Sequence, residues 1–295
     1  MSPSTAPNPV KQPVIPAEIE RYLDVSAKVV SDDLDWNLAR KVGLTPEEVF
    51  MLTYFCDIEW QTIFYFRDLL KTRASKEGDV LAFLTIWNYE EFYHGQLLAQ
   101  MLRECGYPLE ESRVTKIRAS SSLSEALEAF GAAILSKIFA AEFPAVHASW
   151  GAVQELTAVH GYEELAKTTK NPVLKTICER IVKQERRHYA WYFNNARERL
   201  TKSPRARWLT RALLSRFWSP NGAGVKTELE VARLMSFLFL GPIMESVSKT
   251  VDAKIGTLPG MEGISLMRTY LEKAKRILAS PDVEPFTPSL VESNR

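Results

Sequence analysis

Histidine, cysteine and glycine are scarce in this sequence, with 4, 3 and 13 copies in 295 residues. The three cysteines (Cys56, Cys105, Cys178) are odd in number and show no metal-binding spacing. That excludes a disulfide scaffold and a cysteine-ligated zinc site, and suits buried thiols in a reducing compartment. No glycine-rich phosphate loop is present. Long apolar runs are also missing. The strongest, Leu234–Ile243, is interrupted by Ser236 and by Gly241-Pro242, far short of the ~20 residues that span a bilayer. Net charge is only +1, so overall charge points to neither nucleic acid nor membrane as partner. The start, MSPSTAPNPVKQPVIP, lacks the basic residues and apolar stretch of a signal peptide, and the expected location is cytoplasmic.

Hydrophobic residues make up 46% and charged residues 25%, enough for a large core under a soluble surface. Five of the 16 prolines fall in residues 1–16, and Pro281, Pro285 and Pro288 mark the other end. Residues 1–16 therefore read as a proline-rich arm and 280–295 as a tail. Residues 17–279 remain for a single helical domain, since nothing alternates with a strand period for long.

Helix signals fill that middle. Thr45-Pro46-Glu47-Glu48 is a capping box with proline in the first turn. The stripe behind it is Leu52, Cys56, Glu59, Ile63, Phe66, Leu70, one glutamate among apolar residues. A second helix, near Gly78–Cys105, has the stripe Leu81, Leu84, Asn88, Glu91, Gly95, Leu98, Leu102, with His94 beside it. A third region, about Leu123–Lys167, is kinked or split by Pro144 and carries Ala148, Ala152, Glu155, Val159, Tyr162 and Ala166 on one face. Asn171-Pro172 opens a fourth with Leu174, Cys178, Ile181, Glu185, His188 and Tyr192. Two more helices are expected, near Lys226–Ile255 and Glu262–Ala279. The reading is all-α: a four-helix centre with additional C-terminal helices.

Two of the four histidines end an E-x-x-H, Glu91–His94 and Glu185–His188. A spacing of three puts both side chains on one helix face. Each of these helices follows one with an inward glutamate, 32 residues from Glu59 to Glu91 and 30 from Glu155 to Glu185. A lone E-x-x-H is commonly a solvated helix pair, but this doubled pattern is the ligand set of a di-iron carboxylate bundle. Four buried carboxylates would repel one another unless two divalent ions compensated them. The oxygen and imidazole set suits iron, with manganese an alternative in one position. Two metals are expected about 3–4 Å apart, with Glu91 and Glu185 nearest both, Glu59 and His94 at one end, Glu155 and His188 at the other. Asp57 competes with Glu59, and Glu142, Glu163 and Glu164 compete with Glu155, but all fit the stripes less well. His147 and His160 lack a partner at ligand spacing and read as packed helix histidines.

Around these ligands the chain resembles the soluble acyl-carrier-protein desaturases of the ferritin-like superfamily. Trp87-x-x-Glu90-Glu91-x-x-His94-Gly95-x-Leu97-Leu98 is similar to that family's W-x-x-E-E-x-x-H-G-x-L-L. Gln154-Glu155, Thr157 and His160-Gly161 look like a second segment, and Leu174 to Tyr189 like the last ligand helix. The likeness covers about residues 46–195, the proposed di-iron core. The chain differs at Ala158, where the family has a threonine that helps deliver protons, and at Gln184, where it tends to have aspartate. Thr157 is the nearest substitute for the threonine. The resemblance implies an O₂-dependent oxidoreductase acting on an acyl chain by desaturation, oxidation or hydroxylation. It also implies an electron donor such as a ferredoxin, and a homodimer. A ferritin- or rubrerythrin-like iron-oxidising or peroxide-scavenging protein is the alternative. Ile63, Phe64, Phe66, Leu84 and Trp87 either line an acyl channel or are plain core. Arg197–Arg216 holds seven cations against Glu198 alone, with Trp208 and Trp218 nearby. It reads as a docking face for an acidic carrier or an anionic membrane surface, or as a solvated basic face.

Overall fold

The capping signals lie where the helices begin. In the computed structural model, which describes residues 17–120 and 137–287, the Thr45 side chain accepts from the Glu48 amide and Glu48 reaches back to the Thr45 amide. That capping box starts α3 (Pro46–Leu69) after two short helices, α1 (Ala17–Val25) and α2 (Trp36–Val42). Helix α4 (Gly78–Glu104) follows a one-turn 3₁₀ segment, and α5 (Arg113–Ser120) lies beyond it. Pro144 stands in the first turn of α6 (Phe143–Thr168), so it opens a helix and does not bend one. The expected segment from Leu123 up to residue 136 lies outside the described residues, as do the arm at 1–16 and the tail beyond 287. Asn171 caps α7 (Pro172–Lys202) by accepting from Val173 and Leu174 amides. Its Nδ2 also donates to the Ala39 and Gly43 carbonyls, at 3.0 and 2.9 Å, tying down the end of α2.

The fold is all-α. Among the described residues there are eleven α-helices and no strand, only an isolated bridge between Ala223 and Lys226. The long helices pack in pairs, α3 on α4 and α6 on α7, and the pairs meet through α4 and α7. Gly95 permits a close approach within the first pair. A Cβ there would lie 2.7 Å from the Trp60 indole and 3.2 Å from the Glu59 Cβ. Overpacking of that kind costs typically ~1–3 kcal/mol. Gly95→Ala should therefore lower thermal stability and displace Glu59, which a reduced metal content in the purified variant would report.

Two expectations need correction. Ile63 and Leu70, placed on the inward stripe of α3, are 48% and 42% exposed, and Leu81 of α4 is also exposed. The buried face there is rotated off the stripe: Leu69 and Val80, next to Leu70 and Leu81, are the residues turned inward. The single helix expected at Lys226–Ile255 is two, α9 (Glu228–Phe239) and α10 (Met244–Ile255), bent by 103°. Pro242 cannot donate an amide, and Gly241 takes φ +86°, a conformation glycine adopts without strain. The basic stretch at Pro204 is itself a helix, α8 (Pro204–Phe217), before the terminal α11 (Leu266–Leu278). Among the described residues no single helix is long and apolar enough to cross a membrane, although the bent pair α9–α10 passes by length and composition.

Candidate metal centre

Helices α3, α4, α6 and α7 each turn carboxylates into one buried cluster. Glu59, Glu91, His94 and Glu185 form one group, and Glu91, Glu155, Glu185 and His188 a second. All are buried, and within each group one ligand atom per residue lies within 4.8 Å of the others. Each group can hold a metal ion. The six residues expected from the sequence are thus brought together, with Glu91 and Glu185 common to both groups.

The oxygens are divided between the two histidines. Glu91 Oε2 is 3.3 Å from His94 Nδ1, and its Oε1 is 3.1 Å from His188 Nδ1. Glu185 does the same, with Oε1 3.3 Å from His94 Nδ1 and Oε2 3.2 Å from His188 Nδ1. Each terminal carboxylate has one oxygen held by an aromatic donor. Tyr162 Oη donates to Glu59 Oε1 at 2.6 Å, and Trp87 Nε1 donates to Glu155 Oε1 at 3.0 Å. Their other oxygens face His94 and His188, at 4.0 and 3.6 Å.

The imidazoles are oriented from behind. His94 Nε2 meets Gln184 Oε1 at 2.7 Å, and Gln184 Nε2 donates to the Ala27 carbonyl at 2.6 Å. That second bond fixes the amide, so Oε1 must accept and His94 Nε2 must carry the hydrogen. His94 Nδ1 is then the nitrogen turned to the carboxylates, buried and 3.3 Å from both Glu91 Oε2 and Glu185 Oε1. His188 Nε2 meets Glu90 Oε2 at 2.8 Å, which leaves Nδ1 facing the cluster again. Two inward lone pairs among four carboxylates form a donor set that fits a pair of divalent cations.

Without metal, protons take over the compensation. Burial, then the neighbouring Glu91, push Glu59 well above the usual carboxylate range, and burial does the same to Glu155. Burial opposes a charge on His94, but hydrogen bonds with Glu185 and Glu91 outweigh it and hold its pKa up at about 10. His188 is raised in the same way, with burial outweighed by Tyr22 and by bonds to Glu155, Glu185 and Glu90. Burial also opposes charge on Glu91 and Glu185, yet bonds to the histidines, and for Glu91 one to Glu59, keep both low. The upward shifts of Glu59, Glu155 and both histidines all favour their protonated forms, which offsets the carboxylate charge.

Competing acids have other partners. Asp57 is fully buried but binds Arg113 Nε at 2.6 Å and Lys226 Nζ at 2.6 Å. Glu142 pairs with Arg205, Glu163 with Arg186 and His160, and Glu164 with Lys167. His147 is buried against Tyr192, with Nε2 unpartnered; burial, then Arg199, pull its pKa down to about 4. Thr157 is not brought into the cluster: its hydroxyl donates to the Val153 carbonyl one turn back, at 2.8 Å. In the basic segment Arg199 pairs with Glu77, Arg207 holds the Leu200 and Thr201 carbonyls, and Arg211 the Gly260 and Glu262 carbonyls. Those three brace the fold. Trp208 is 65% exposed on the same helix.

Glu90, fully buried, is absent from the ligand expectations. Its signal in the sequence is slight, an acidic residue doubled ahead of the first E-x-x-H. Comparison of the chain with protein-family models, with curated proteins and with solved structures finds no match in any of the three.

Proposed function

We propose that the chain is a ferritin-like four-helix bundle, built from α3, α4, α6 and α7, that holds two iron ions and oxidises an acyl chain with O₂. The supporting observation is that Glu91 and Glu185 each turn one oxygen to each histidine, an arrangement suited to two ions sharing two carboxylates. The resemblance of the Trp87–Leu98 segment to acyl-carrier-protein desaturases favours desaturation over other oxidations. Bound iron would supply the redox chemistry, reducing O₂ while hydrogen leaves an unactivated C–H bond. The reaction balances when O₂ takes two hydrogens from the chain and two electrons and two protons from outside, leaving as two waters. A ferredoxin-like donor would provide those electrons.

The chain's own residues do the rest. Tyr162 and Trp87 fix the two terminal carboxylates, Gln184 and Glu90 fix the two imidazoles, and apolar core such as Leu84 excludes water. The face proposed for an acidic acyl carrier is the outer side of α8, where Arg205, Trp208 and Arg216 share one side of the helix.

The test is anaerobic reconstitution with iron, followed by O₂, a reductant and an acyl-carrier substrate, with the acyl product weighed by mass spectrometry. About two irons per chain are expected, with loss of two hydrogens from the acyl group and a rate that falls as salt screens the carrier. Gain of one oxygen atom would mean hydroxylation. Iron oxidation with an unchanged acyl group would favour an iron-handling role, and fewer than one iron per chain would sink the di-iron reading.

A further inference from the structure

The two E-x-x-H helices support each other crosswise, and the two supports are chemically unlike. The residue before Glu91, Glu90 on α4, takes the hydrogen of His188 on α7; the residue before Glu185, Gln184 on α7, takes the hydrogen of His94 on α4. One partner is a carboxylate and the other a neutral amide. Glu90 is built in firmly. Its Oε1 receives Arg187 at 2.8 Å and Ser26 at 3.1 Å, and its Oε2 receives His188 at 2.8 Å and Tyr22 at 3.1 Å. The Arg187 charge thus sits on the oxygen away from the imidazole.

A carboxylate behind a histidine makes the ring a stronger donor to metal, whereas an amide orients it with little added basicity. The terminal carboxylates do not offset this difference, because each has a single neutral donor, Tyr162 or Trp87. We infer that the two metal positions are unequal, the Glu155–His188 position backed by Glu90 filling first and the Glu59–His94 position backed by Gln184 filling second. This rests on the dimetal reading of the cluster. Glu90 is then a positioning residue that sets the order of loading.

The experiment titrates metal-free protein with cobalt(II) under anaerobic conditions, following heat and visible absorbance. Removal of such an outer partner typically weakens metal binding by about 10–100-fold, so two steps about tenfold or more apart are expected. Glu59→Ala should keep the tight step and Glu155→Ala only the weak one. Glu90→Gln should weaken the tight step by about 10–100-fold and bring the two together, with its helical circular dichroism unchanged. Gln184→Ala, a second and independent variant, should weaken only the later step. Two equal steps in the natural protein, or retention of the tight step in Glu155→Ala, would overturn the inequality while leaving the dimetal reading standing. Absence of cobalt uptake would overturn that reading, and the order of loading with it.

Discussion

Glu91→Ala should empty both metal positions, whereas Glu59→Ala should empty one. The reason is the division of oxygens: Glu91 faces His94 with one and His188 with the other, while Glu59 approaches His94 with its free oxygen only. Without Glu91 each position loses a charged ligand, and three carboxylates are left to neutralise four positive charges. Iron analysis after anaerobic reconstitution should fall from about two ions per chain to near zero in Glu91→Ala, and to about one in Glu59→Ala. Glu185→Ala should behave like Glu91→Ala. One retained ion in Glu91→Ala would show that the carboxylate serves a single position, and the shared arrangement would have to be abandoned.

Loading both positions near neutral pH should release about four protons per chain. Burial raises Glu59 and Glu155, and the carboxylates around His94 and His188 outweigh burial and raise both, so all four favour the protonated form until metal binds. Two divalent ions replace all four protons. The pH dependence has a definite sign. His94 has a folded value of about 10 against an ordinary 6.5, so the stability it gives the metal-free protein is fully present below pH 6.5. That stability is lost as pH rises through about 10. Metal affinity moves the other way, since proton competition fades as pH rises. The difference in melting temperature between loaded and metal-free protein should therefore widen from pH 6.5 upward. Calorimetry in two buffers of different ionisation enthalpy counts the protons. Release of one proton or none would show that the metal-free cluster is compensated in some other way.

How much of this was legible depended on how local each signal is. Five of the six clustered residues lie on regular stripes and His94 adjoins one, three residues after Glu91; a helix face is a property of spacing alone, so Glu59, Glu91, His94, Glu155, Glu185 and His188 are legible in the sequence. The exposure of Ile63, Leu70 and Leu81 is not, because an apolar run fits more than one face by spacing alone: Leu69 and Val80, one residue away from Leu70 and Leu81, are the buried ones. Glu90 and Gln184 adjoin ligands and point about 100° round their helices from them. Their burial depends on Tyr22, Ser26 and Ala27, from the N-terminal part of the chain. That contact spans 64 residues or more, beyond any local pattern. Thr157 rests on the resemblance alone, and its bond to the Val153 carbonyl is a local competitor for a helix hydroxyl.

The pairing of helices has a consequence for how the molecule is held shut. The α3–α4 hairpin carries Glu59, Glu91 and His94, and the α6–α7 hairpin carries Glu155, Glu185 and His188. Neither hairpin owns a complete metal position, since each position takes one shared carboxylate from the opposite side. The ions, when present, act as a double clasp across the seam, fastened by Glu91 from one leaf and Glu185 from the other. Opening the leaves therefore breaks both positions at once, and assembly of the cluster must wait until the two hairpins have closed.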